Sequence, residues 1–198
     1  MNDTAPSKDE PDPTEPAEGD ELDLKDFKVL IVEDFPFIAD ILSACLKEMG
    51  VGDVIKADNG QNALTKIQSL NQFENINNID VIILDWLMPV MDGREVIKAI
   101  RNHKSDYIRF LPVIVCSAYT SEKLVTESRD LGANEVVVKP ISAGELARRI
   151  QHVINHPRPF VKSSTFFGPD RRRQKKPFEG DEKRKTKPQD VKNSHEQK

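Results

Sequence analysis

The run Val81-Ile82-Ile83-Leu84, closed by Asp85, constrains this chain more than any other stretch. Consecutive apolar residues, mostly β-branched, offer no polar face to water, so the strand they predict is buried on both sides. Such a strand belongs in the middle of a parallel sheet covered by helices on both faces. Asp85 then emerges at the strand's carboxyl end, the edge where open α/β sheets bind ligands.

The chain between Phe27 and His156 supplies the rest of that sheet. Lys28 to Val32 reads as the first strand. A helix follows from Pro36 to Met49, with Ile38, Ile41, Leu42, Cys45 and Leu46 at helical spacing, Pro36 in the first turn, and Gly50 and Gly52 at its end. Val54 to Ala57 is a second strand, Gln61 to Leu70 a second helix, and the Asn-rich residues 71–78 a surface loop. Beyond Asp85, helices are expected over Arg94 to Asn102, Ser121 to Leu131 and Ser142 to Ile154, with strands at Pro112 to Cys116 and Glu135 to Val138. Strands and helices in strict alternation, joined by right-handed crossovers, imply a single doubly wound, flavodoxin-like α/β domain. Its expected strand order is 2-1-3-4-5.

Charge divides the chain in the same way. The net charge of −4 over 198 residues hides about −8 before Phe27, about −3 in the central region and about +7 after His156. Residues 1–26 are rich in Asp, Glu and Pro and cannot bury enough apolar surface to offset the entropy of ordering, so an acidic disordered tail is expected. Residues 27–156 form the folded domain. Residues 157–198 read as a basic, mostly disordered tail in which Phe160, Phe166 and Phe167 beside Arg171, Arg172 and Arg173 suggest a docking segment at 158–176. Nucleic acid is the weaker reading of this segment, because its charges would bind backbone phosphates without reading bases. Cys45 and Cys116 lie in apolar surroundings without metal-ligand spacing and read as buried thiols in a reducing cytoplasm. The apolar runs are too short to insert in a membrane.

In the predicted strand order the first and third strands are neighbours, so Glu33, Asp34 and Asp85 converge. Clustered carboxylates repel outside bulk water and need a proton or a cation. Hard oxygen ligands suit Mg²⁺, which keeps open positions for phosphate oxygens. Ser117 after the fourth strand and Lys139 after the fifth add a hydroxyl and an ammonium at the same edge. Both are suited to the oxygens of a transferring phosphoryl group, with a carboxylate as nucleophile.

The chain resembles the receiver domain of two-component response regulators, the CheY-like family. The resemblance rests on Glu33-Asp34 after Lys-Val-Leu-Ile-Val, on Asp85 in Asp-x-x-Met-Pro-x-Met-Asp-Gly, on Ser117, and on Lys139-Pro140, and it spans roughly Phe27 to Asn155. It implies Asp85 as phosphoacceptor. Asp34, Asp85 and the Leu87 backbone carbonyl would be direct Mg²⁺ ligands, with Glu33 acting through water, while Ser117 and Lys139 would bind the phosphoryl group. The family pattern also implies a cis Lys139-Pro140 bond.

The resemblance further implies a stand-alone cytoplasmic, bacterial response regulator, a phosphoprotein rather than a metabolic enzyme. It would take its phosphoryl group from a histidine kinase or histidine phosphotransfer protein and signal to a downstream protein as a monomer or phosphorylation-dependent dimer. A phosphorylation-independent scaffold using the Phe/Arg tail is the alternative. A small-molecule phosphohydrolase would need a second acid where Leu87 stands. One position departs from the pattern: receivers often carry an aromatic residue three positions before the lysine, and here it is Val136. Tyr119 is a candidate substitute, although an exposed loop tyrosine is its simpler reading. Leu87 and Tyr119 flank the acceptor and are expected to restrict water there. The four histidines, His103, His152, His156 and His195, lack ligand spacing and read as surface residues.

Overall fold

The computed structural model describes residues 24–73, 77–118, 121–171 and 189–191. Five parallel strands, β1 (Lys28–Val32), β2 (Asp53–Ala57), β3 (Val81–Asp85), β4 (Val113–Ser117) and β5 (Glu135–Val138), form a sheet in the order β2-β1-β3-β4-β5. This is the order expected from the alternation of elements. Helices α1 (Pro36–Glu48), α2 (Gly60–Leu70), α3 (Gly93–Arg101), α4 (Asp106–Arg109), α5 (Glu122–Leu131) and α6 (Ala143–Asn155) cover both faces. The short α4 has no counterpart in the sequence reading, because one turn of helix carries too little periodicity to register.

Alternate residues of each strand feed opposite faces. Leu30, Val32, Ile82, Leu84, Val113 and Val115 pack with Ile67 of α2, Val96, Ile97 and Ile100 of α3, and Leu124 of α5. Val29, Ile31, Val81, Ile83, Ile114 and Cys116 pack with Leu42 and Leu46 of α1 and Leu146 and Ile150 of α6. Every residue of β3 and β4 is buried, as a two-faced sheet requires. Cys116 is buried and Cys45 half-buried, and neither forms a disulfide. Burial pushes the Cys116 thiol up to about 12 and leaves it inert at neutral pH. Among the described residues no helix is long and apolar enough to cross a membrane.

The structure departs from the sequence reading in three further places. The folded region begins before Phe27: Leu24 is buried in the core, and its carbonyl accepts from the amides of Phe27 and Gly52. The loop after α2 is not wholly at the surface. Asn71 is buried, with its Oδ1 accepting from Ile79 N and its Nδ2 donating to Ile79 O, so one amide side chain satisfies a backbone that no strand pairs.

The third departure lies after His156. Within the region read as a mostly disordered tail, β6 (Phe160–Lys162) and β7 (Phe167–Pro169) form an antiparallel pair, and β8 (Gln189–Val191) adds to the other edge of β6. Phe160 is buried and Phe167 half-buried, both against Phe110, at centroid distances of 4.7 and 5.2 Å. The aromatic residues read as exposed docking groups therefore have a partner in their own domain. The sequence signal for such a tail was its charge, most of which lies on residues outside those described. Residues 1–23, Tyr119 and Arg172 to Lys176 also lie outside the described residues.

Candidate functional site

The carboxyl ends of β1, β3, β4 and β5 gather the polar residues singled out in the sequence. Glu33 and Asp34 follow β1, and Glu33 N still donates to Ala57 O at the end of β2. Asp85 is the last residue of β3 and pairs in register with Cys116, so Ser117 stands one residue further along β4. The Lys139 amide continues the ladder by donating to Ser117 O at 2.8 Å. The following Lys139-Pro140 bond is cis, as the motif implied.

Carboxylate oxygens of Glu33, Asp34 and Asp85 lie within 4.8 Å of one another. Two full charges at that separation repel by about 3 kcal/mol at the effective dielectric of a protein surface. Lys139 relieves part of this repulsion: its Nζ donates to Glu33 Oε2 at 2.5 Å and to Asp85 Oδ1 at 2.8 Å. Burial drives the Glu33 pKa up, and although Lys139 opposes this, desolvation prevails. Burial also works against the Lys139 charge, but its hydrogen bonds to Asp85 and Glu33 outweigh that effect and hold its pKa above the ordinary value. The pair is therefore favourable for the lysine, while the buried Glu33 remains short of compensation.

The donor set still has capacity for a cation. Glu33 Oε1 and Asp34 Oδ1 are buried side-chain oxygens without a hydrogen-bond partner among the described residues. Unpaired buried anionic oxygens are costly, and a hard divalent ion bound by oxygens would satisfy them.

The segment after Asp85 is shaped by packing and capping. A side chain at Gly93 would place its Cβ 2.7 Å from Asp85 O and 3.1 Å from Trp86 Cα, so only glycine lets the helix start this close to the acid. Asp92 caps α3 by accepting from Glu95 N, and Glu95 accepts from Asp92 N in return. Val90 adopts a φ of +70°, sparsely populated for a β-branched residue, at the exposed tip of the loop. Leu87 projects outward, half exposed.

Arg94 was not singled out in the sequence. It donates to Asp92 and to Glu127 of α5, and its guanidinium lies 5.0 Å from the centroid of the buried Trp86 ring. The sequence already places Arg94 in the first turn of this helix, but no local pattern signals its reach to α5.

Comparison with known proteins falls within the same part of the chain. The response regulator receiver domain matches residues 29–151, well over half of the chain. This chain belongs to that family. It is 31% identical over 126 residues to the chemotaxis protein CheY of Pseudomonas aeruginosa, covering 64% of this chain and 94% of that protein. Among solved structures, Vibrio cholerae CheY4 is 34% identical with a TM-score of 0.57, covering 64% of this chain and 98% of that one. The CheX-CheY-BeF3-Mg complex of Borrelia burgdorferi contains a chain 30% identical with a TM-score of 0.57, covering 65% of this chain and 89% of that one.

As a receiver domain, the chain belongs with signalling proteins rather than metabolic enzymes. At the position where receivers often carry an aromatic ring, Val136 is half-buried against the core beneath α2, α3 and α5. Of the histidines, His103 accepts from Ser105 N, and His152 and His156 stack at 5.3 Å. None of these three joins the carboxylate cluster, and His195 lies outside the described residues.

Proposed function

We propose that this chain is a response regulator that accepts a phosphoryl group on Asp85 and signals through proteins that distinguish the two states. The observation that carries this reading is the convergence of Glu33, Asp34 and Asp85 with Lys139 already bonded to Asp85. An Asp85 carboxylate oxygen attacks phosphorus, the bond from phosphorus to the donor histidine nitrogen breaks, and an aspartyl phosphate remains. Lys139 and Ser117 bind the phosphoryl oxygens, so the ammonium that now faces Asp85 stabilises the charge that develops beside it.

Mg²⁺ fits the remaining donors: Asp34, Asp85 and the Leu87 backbone carbonyl directly, and Glu33 through water. When bound it supplies charge neutralisation at the transferring group. The donor is a histidine kinase or histidine phosphotransfer protein, the setting is the bacterial cytoplasm, and the output is a protein contact made as a monomer or phosphorylation-dependent dimer. Leu87, two residues after the acceptor, restricts water there and lengthens the lifetime of the phosphate.

Trp86 makes the test direct, because it adjoins Asp85 and is 1% exposed. Its fluorescence is expected to change on addition of Mg²⁺ and then of beryllofluoride or a small phosphodonor, and the second change should vanish in Asp85→Ala. Phosphodonor-treated protein should carry hydroxylamine-labile phosphate. A wild-type protein with neither an Asp85-dependent response nor such phosphate would overturn the reading.

A further inference from the structure

The base of the domain, opposite the carboxylate cluster, holds two charged side chains whose burial no local sequence pattern signals. Arg101, the last residue of α3, is 4% exposed. It donates to the carbonyls of Arg109, Leu111 and Gly132 and to Asn134 Oδ1. Glu135, the first residue of β5, is 3% exposed. Burying such groups is costly unless they are paired and shielded from water.

The segment after α6 meets both groups. Arg158 donates to Glu135 Oε1 at 3.0 Å, inside the 3.7 Å approach of Arg149 and the 4.0 Å approach of His152. The Phe160 ring roofs Arg101 at 5.2 Å, and Phe167 lies 4.7 Å from the Arg109 guanidinium. Gly168 approaches Gly132 so closely that a Cβ on Gly168 would stand 3.0 Å from Gly132 Cα. Arg171 pairs with Asp130 near the end of α5. The hairpin is closed by Ser163 N donating to Phe166 O and Asp170 N donating to Pro159 O, both at 2.8 Å.

We propose that residues 158–171 are a clasp that completes this receiver and tethers the C-terminal end of α5. The base is an interaction surface whose partner is the chain's own hairpin, selected by a buried acid for Arg158 and an aromatic and guanidinium bed for Phe160 and Phe167. The clasp closes that face to other proteins. It also fixes the Gly132 end of α5 through Gly168 and Arg171. Closure of the clasp does not depend on phosphoryl chemistry.

Hydrogen exchange on the full chain tests the clasp. The amides of Ser163 and Asp170 are expected to be protected in the wild type. Arg158→Ala and Phe160→Ala should each accelerate them, together with Gly132 and Ala133 at the end of α5, by about tenfold or more, the factor for losing one buried charge-assisted contact. Amides of β1 should change less. If either variant fails to fold, Phe160→Leu keeps an apolar cover on Arg101 and permits the same comparison. Exchange of Ser163 and Asp170 at unstructured-chain rates in the wild type, or unchanged exchange at Gly132 and Ala133 in the variants, would overturn the proposal.

Discussion

Lys139→Met removes the ammonium from the carboxylate cluster while keeping an unbranched apolar stem. The lysine bonds Glu33 at 2.5 Å and Asp85 at 2.8 Å. The Glu33 side chain is 2% exposed and recovers little water when the cation is lost. Removing one partner of a buried ion pair costs about 3–5 kcal/mol. Partial opening of the site, with the Lys139 side chain 15% and that of Asp85 11% exposed, places the expected loss at the lower end. A loss of about 3 kcal/mol is roughly a hundredfold in the folding equilibrium and about 10 °C in midpoint for a chain of this size.

Unfolding in urea followed by Trp86 fluorescence, with EDTA or with Mg²⁺, measures this loss. The deficit of Lys139→Met should be largest in EDTA and smaller with Mg²⁺, which replaces the missing positive charge. It should shrink in EDTA when Glu33→Gln is added, because the uncompensated buried charge is then gone. Wild-type stability of Lys139→Met in EDTA would refute the electrostatic account of the site.

The pH profile tests the same balance. With its pKa raised above 4.5 in the folded state, Glu33 contributes stability below that value which is lost as pH rises through its folded pKa, and Glu33→Gln should flatten this limb of a urea-midpoint profile. The Lys139 contribution, with its pKa raised above 10.5, should persist to that pH and fall away above it in alkaline unfolding titrations. Gly93→Ala forces a methyl against the Asp85 carbonyl and should cost about 1–3 kcal/mol, with an altered Trp86 emission spectrum in the folded protein. Arg101→Met leaves buried carbonyls without donors and should cost about 3 kcal/mol or more in denaturant unfolding; a loss below about 1 kcal/mol would mean that water replaces the guanidinium.

The sheet was legible because its strands are short apolar runs and its helices keep a 3.6-residue period. The acids, hydroxyl and lysine were legible because a parallel sheet carries every strand end to one edge, so sequence position after a strand becomes position in space. Arg94 was not legible, since a surface-type residue on a helix gives no sign that it spans to Glu127 on another. The fate of Phe160 and Phe167 was equally hidden. Aromatic residues in a basic segment have the same sequence signature whether they face a partner, solvent or their own domain.

By itself, then, the sequence determined the strand order and the set of groups that meet at Asp85, because both follow from local periodicity and simple topology. Only the tertiary structure decided that Lys139 satisfies Glu33 and Asp85 while Glu33 Oε1 and Asp34 Oδ1 are left without a partner among the described residues. It alone decided that Arg101 and Glu135 are buried at the opposite end and covered by the hairpin after α6. These outcomes depend on distances between residues remote in sequence and on which polar groups lose their water, and neither is written in any local pattern.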